Sequence, residues 1–276
     1  MTRRIPILGK HQFGFTLVEL AVVLLIVGLI LGGLIVPLVT QVTSRKVEES
    51  RKSMEEIVTA LYGFASANGR LPCPATVASN GIENRRNDNA AVGPIDAVTD
   101  GCRGGTYVGL VPWATLGIAE ADAWGRRFFY RVTNEFTRAK DDTTAIGSCI
   151  ATPTNKCTLE ITDSGNLSVE TRDAVTKAKR PLASQVPAVV VSLGSNGYGA
   201  INLQNVAQPA PPAINLDEAQ NVNVATLVFL SRTPTEIQAG CSDTAAGVPY
   251  CEFDDIVTWI PTSILISRMI AAGRLP

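Results

Sequence analysis

"FTLVELAVVLLIVGLILGGLIVPLV", Phe15 to Val39, is an apolar run of 25 residues with a single charge, Glu19. As a helix rising about 1.5 Å per residue it covers roughly 37 Å, enough to cross the hydrocarbon of a bilayer. Arg3, Arg4 and Lys10 precede it. Basic residues favour the cytoplasmic side, so the chain beyond the run is expected outside the inner membrane. An ordinary secretory signal has a shorter apolar region and a small-residue cleavage site behind it; neither is present here. Glu19 is the anomaly. A carboxylate at the centre of the hydrocarbon costs about 2.5–3.5 kcal/mol, so it requires a partner or a position near the interface where it can snorkel.

The helical pattern continues past the run. Val47, Met54, Ile57, Val58, Leu61 and Ala65 recur at three- and four-residue spacing among Arg45, Lys46, Glu48, Glu49, Arg51, Lys52, Glu55 and Glu56. That is one apolar stripe on a charged helix, whose charges read as a solvated face. Asn68-Gly69 and then Pro72 end it. Residues 15–39 are thus expected as a transmembrane segment and 40–67 as an amphipathic extension of the same helix. Pro37 is expected to kink or loosen it by removing one backbone bond.

Residues 68–276 read as a globular domain. A Gly-, Asn-, Asp- and Pro-rich loop fills 71–105. "GLVPWATLGI" (109–118) reads as a packed connection with Trp113 buried. Strands are expected in "DAWGRRFFYRV" (122–132), "CTLEI" (157–161), "NLSVE" (166–170), "AVVVSL" (188–193) and "NVATLVFLSR" (223–232), with a hairpin at Gly165-Asn166. "QPAPPA" (208–213) is a loop, and 262–272 a short helix capped by Thr262 or Ser263. A long helix, then mostly antiparallel strands, then a short helix make an α+β fold.

Six cysteines, Cys73, Cys102, Cys149, Cys157, Cys241 and Cys251, all lie beyond the apolar run. An even count in the exported part fits an oxidising compartment, the alternative being buried free thiols. Fifteen pairings exist. Neighbour pairs that close local loops are favoured: Cys73–Cys102, Cys149–Cys157 and Cys241–Cys251. The only histidine is His11, upstream of the run, and the net charge is -1. A chain cleaved beyond it would have no histidine for Ser-His or Cys-His catalysis or as a metal ligand. Nor does the charge balance point to nucleic acid.

Gly14-Phe15-Thr16-Leu17-Val18-Glu19-Leu20 resembles the N-terminal signature of type IV prepilins and of type II secretion pseudopilins. Residues 1–14 are similar to the short basic leader of that family. The resemblance implies cleavage between Gly14 and Phe15 by a prepilin peptidase and N-methylation of Phe15. It also implies a pilin-like fold, in which the sheet packs on the second half of the helix. Partners implied are other pilin or pseudopilin subunits and an inner-membrane assembly platform. The function implied is that of a structural subunit of a type IV pilus or secretion pseudopilus, a minor one by its size, and no enzyme. Glu19 would be an assembly group pairing with the Phe15 amine of a neighbouring subunit. The competing reading is a signal-anchored periplasmic binding module or enzyme.

"DAWGRRFFYRV", "VVSLGSNGYGA" and "FDDIVTW" further resemble segments of the major pseudopilin, with Asn196 where that family usually has an acid. The resemblance implies that Asp254 and Asp255 return beside the 193–199 loop. Calcium is the ligand considered there, held by the Leu193 carbonyl, Asn196, Asp254 and Asp255. An ordinary turn at 195–197 is the alternative.

Overall fold

A computed structural model describes residues 16–85, 102–137, 159 and 161–275, with side chains of 31–40 excepted. The chain divides into two compact units, residues 1–45 and 46–276. Helix α1, Leu17–Asn68, runs through both and continues through Pro37. Gly69, at φ +72°, terminates it and donates its N–H to the Ala65 carbonyl; the missing Cβ makes this left-handed turn cheap.

In the first unit, Leu17, Val18, Leu20, Leu24, Leu25 and Leu29 are all exposed, Leu17 to 86 %. Among the described residues no helix is long and apolar enough to cross a membrane, so the crossing expected of residues 15–39 is not shown.

The second unit has three layers. Strands β1 (Val108–Leu110), β2 (Phe129–Val132), β5 (Ala188–Ser192) and β7 (Ile256–Ile260) form an antiparallel sheet in the order β1-β2-β5-β7. Strands β3 (Leu167–Arg172), β4 (Lys179–Val186) and β6 (Val228–Leu230) form a second sheet, β4-β3-β6, in which β6 runs parallel to β3. The sequence "AVVVS" of β5 is wholly buried because its alternate faces serve different cores. Ala188 and Val190 join Met54, Ile57, Leu61 and Ala65 of α1. Val189 and Val191 join Leu167, Val169 and Phe229 of the second sheet. The apolar stripe of α1 is thus the cover of the four-stranded sheet.

Helix α4, Thr262–Ala271, adds Leu265, Ile266 and Met269 to the core shared with α1. Its N-cap is Pro261, not Thr262 or Ser263; the Thr262 hydroxyl instead donates to the Gln185 carbonyl. Beyond it Arg274 donates to the carbonyls of Ser66 and Ala67. The last turn of α1 has no basic residue of its own, so the chain end supplies the cation that its negative terminus favours.

Other expectations change. The hairpin expected at Gly165-Asn166 needs the strand 157–161, of which only Leu159 and Ile161 are among the described residues. Gly165 is packed against the Val186 backbone, where a Cβ would lie 2.0 Å from the carbonyl oxygen, and β3 turns into β4. The strand expected at 157–161 falls partly outside the described residues, and Ile161 is in a turn. Trp113 is buried on a four-residue helix, α2, Trp113–Leu116. Disulfides join Cys73 to Cys102 and Cys241 to Cys251; Cys149 and Cys157 lie outside the described residues.

The chain leaving α1 is held by a bidentate ion pair. Arg70 donates to both oxygens of Glu83 at 2.8 Å, and the Cys73 N–H donates to Oε2 at 3.0 Å. Burial pushes the Glu83 carboxyl up, but these donors and the two nearby arginines outweigh it and hold it below the usual value of 4.5. A lowered carboxyl contributes stability above its ordinary pKa and loses it as pH falls through the folded value. Glu83→Gln is expected to cost about 3–5 kcal/mol in urea unfolding at pH 7, as for a broken buried pair. The loss should shrink as the pH falls below 4.5.

Candidate functional site

Two places bring chemically active groups together. The first is the start of α1. Thr16 is its N-cap: the hydroxyl accepts from the Glu19 N–H at 3.2 Å, and the Thr16 carbonyl accepts from Leu20 at 3.1 Å. Sequence reasoning treated Glu19 alone and missed Thr16, although Thr-x-x-Glu is the pattern of a capping box. Glu19 is exposed in the first helical turn, where the positive end of the macrodipole favours a carboxylate. Gly14 and Phe15 lie outside the described residues.

The second place is a carboxylate cluster. The register pairs Ser192 at the end of β5 with Ile256 at the start of β7. This brings Asp254 and Asp255 beside the loop 193–199. Asp254 Oδ2 accepts from the Ser195 N–H at 2.8 Å, the Ser195 hydroxyl at 2.7 Å and the Asn196 N–H at 2.8 Å. Gly194 lets this carboxylate approach: a Cβ there would lie 2.1 Å from Asp254 Oδ1. Arg126 reaches over from the turn before β2 and donates to the Gly194 carbonyl.

Helix α3, Leu216–Asn221, supplies a third acid, Glu218. One oxygen from each of Glu218, Asp254 and Asp255 lies within 4.8 Å of the others. Glu218 is 1 % exposed and Asp255 6 %. The helix is fixed by Asp217, which bonds Arg172 at 2.7 Å and Arg232 at 3.0 Å. The sequence offered no local sign of Glu218, which stands far from both the loop and the Asp pair.

Of the residues considered from the sequence, Asp254 and Asp255 lie in the cluster. The Leu193 side chain is buried in the core between the sheets. Asn196 faces the cluster as a donor: Nδ2 reaches Glu218 Oε1 at 2.8 Å, while Oδ1 accepts from Tyr198 at 3.1 Å. Asn215 and Asn221 likewise donate to Glu218 and Asp255 at 3.1 and 2.8 Å. Among the described residues none of the three acids forms an ion pair with Lys or Arg. Burial raises the Glu218 carboxyl to about 6, with Asp254 adding to the rise and the Asn196 and Asn215 amides opposing it. Burial likewise holds Asp255 well above its ordinary value, with Glu218 adding to the effect.

The segment 9–35 matches the family described as the prokaryotic N-terminal methylation motif. No curated protein and no solved structure matches the chain. The match implies a prepilin peptidase substrate and points to a membrane-anchored place in the cell envelope.

A carboxyl whose pKa is raised on folding holds its proton more tightly in the folded chain, so stability falls as pH rises from the unfolded to the folded value. In chelator, stability is expected to drop by about 2 kcal/mol between pH 4.5 and 6 from Glu218 alone, at 1.36 kcal/mol per pKa unit. Urea unfolding across that range checks it, and Glu218→Gln should flatten the slope. Residues 9–35 of the chain carry the type IV prepilin-like signature, the prokaryotic N-terminal methylation motif.

Proposed function

We propose that the chain is a non-catalytic structural subunit of a pilin or pseudopilin filament, built in through its N-terminal helix. The methylation motif over 9–35 carries this reading. In it the leader 1–14 is removed, Phe15 becomes the methylated terminus, and residues 15–39 hold the subunit in the inner membrane before assembly. A helix apolar on every side, as the exposed residues from Leu17 to Ile30 are, has no stable life in water and needs lipid or other helices around it. Small residues at Gly28 and Gly32 suit close approach of such helices.

The charge at Glu19 then has a use. Cleavage creates a cationic amine at Phe15, and a carboxylate in an apolar bundle is tolerated when paired with it. Pairing with a neighbour's amine sets which helices meet and in what register. The domain 46–276 would stand outside the membrane. Its disulfides fit an oxidising compartment.

The N-terminal mass of protein recovered from cells with active prepilin peptidase is expected to correspond to N-methylated Phe15. A bulky residue in place of Gly14 should leave the leader attached; recovery of an intact Met1 from wild type would refute the processing. Glu19→Val should stay in the membrane fraction, since a costly charge is removed. Its recovery in sheared filaments should fall by about tenfold or more, the equivalent of ~1.4 kcal/mol. Normal incorporation would mean that Glu19 is only a helix-start carboxylate.

A further inference from the structure

The disulfides Cys73–Cys102 and Cys241–Cys251 sit in different surroundings. Cys73 and Cys102 are both buried. In the other bridge Cys251 is buried but Cys241 is partly exposed, and residues 244–249 of the loop that it closes are all exposed. That loop reaches α3 through one buried side chain, Asp243. Its Oδ2 accepts from the Asp217 N–H at 3.2 Å, and its Oδ1 from Arg232 at 3.1 Å and the Cys251 N–H at 3.3 Å. Arg232 also donates to Asp217 at 3.0 Å and to the Cys251 carbonyl at 3.0 Å. The first N–H groups of a helix have no partner within it. Asn215, the N-cap of α3, makes no side-chain cap bond and donates to Glu218 instead. The carboxylate that answers an N–H at the start of α3 therefore comes from inside the disulfide loop.

We propose that Cys241–Cys251 is a thiol–disulfide exchange site, opened at Cys241 by a dithiol, and that its opening releases α3. Exchange requires a thiolate to reach a sulfur, and exposed bridges are the labile ones. Among the described cysteines only Cys241 offers that access. The incoming thiolate attacks Cys241 Sγ, the S–S bond breaks, and Cys251 leaves as a thiolate that takes up a proton. The second thiolate of the dithiol then displaces Cys241 from the mixed disulfide. Two electrons pass from the dithiol, which ends as a disulfide, to the two cysteines, which end as thiols. With the loop no longer closed, holding Asp243 in place costs chain entropy that the bridge had removed. When Asp243 leaves, the Asp217 N–H loses its acceptor and Arg232 keeps only Asp217 of its two carboxylates. The loosening is local, because no residue of 241–251 belongs to either of the cores that β5 joins. The bridge thus acts as a latch on the helix that carries Asp217 and Glu218.

The test uses the full chain purified in detergent, treated with dithiothreitol under native conditions, blocked with N-ethylmaleimide and mapped by peptide mass. Cys241 and Cys251 are expected to be labelled faster than Cys73 and Cys102 by about tenfold or more, because the buried bridge is reached only through wider opening of the fold. Glutathione, a monothiol, should stop at the mixed disulfide, with glutathione on Cys241 and the maleimide on Cys251. Hydrogen exchange then reads α3. Once Cys241 and Cys251 are thiols, the amides of residues 217–221 should exchange about tenfold faster or more, while those of β5 stay protected and show that the fold persists. Asp243→Asn with its bridge intact should raise α3 exchange in the same way. Reducing that variant should add less than about twofold, since the two changes act through one contact. Equal labelling of Cys73 and Cys102, glutathione on Cys251, or α3 exchange unchanged by reduction would each overturn the latch. None of these readouts needs a filament, so their failure is distinct from failure of the assembly function.

Discussion

Burial of one stripe of α1 organises the domain. Met54, Ile57, Leu61 and Ala65 are each within 2 % of full burial, and they meet Tyr130, Val132, Ala188, Val190 and Ile260 from the sheet. At about 25 cal/mol per Å² of apolar surface, each large side chain on that stripe contributes on the order of 1.5–3 kcal/mol. The position of the sheet then follows, since β2 and β5 must turn alternate residues toward the helix. The opposite residues, Phe129, Val189 and Val191, are left as a second apolar face, and the β4-β3-β6 sheet covers it. The chain end closes the same helix. Met269 packs into the core, and Arg274 reaches the carbonyls of its last turn. One helix therefore sets the order of layers.

What could be read in advance tracks how local each signal was. The stripe on α1 repeats over several turns and was legible, as was its stop at Asn68-Gly69. β5 was legible because buried β-branched residues in an unbroken run leave few other readings. β4 was not. Lys179-Arg180-Pro181 looks like a loop, yet charge and proline are what an outer strand tolerates; its other residues are mostly exposed. The Gly165-Asn166 pair looked like a hairpin turn, but Gly165 is there for close backbone approach to Val186. That reason is tertiary and leaves no local trace. α3 was missed because six residues carry no measurable period.

The candidate sites divide in the same way. Glu19 stands out because its neighbours in sequence are apolar, so the anomaly is local. Asp254 and Asp255 are adjacent, and the strand register Ser192–Ile256 carries them to the loop. Glu218 arrives on α3, a helix held by ion pairs between Asp217 and two arginines from separate segments. No reading of spacing along the chain would find it.

Both clusters obey one rule: a carboxylate removed from water needs a counter-charge, a proton or a set of donors. At the α1 start the helix dipole and the Thr16 cap offer a partial answer, and an amine made by cleavage would complete it between subunits. In the domain, amides offer a partial answer for Glu218 and Asp255, whose carboxyls burial raises, and Asp254 Oδ1 has no hydrogen-bond donor. The two differ in what an incomplete answer does. On the proposed function, the missing partner at the helix start would belong to another chain, and the unmet charge would favour assembly. In the domain the donors belong to the same chain, and the amides of Asn196, Asn215 and Asn221 hold the junction of β5, α3 and β7 together. Since β5 is the strand shared by both cores, this cluster stands at the end of the strand that the whole domain is built around.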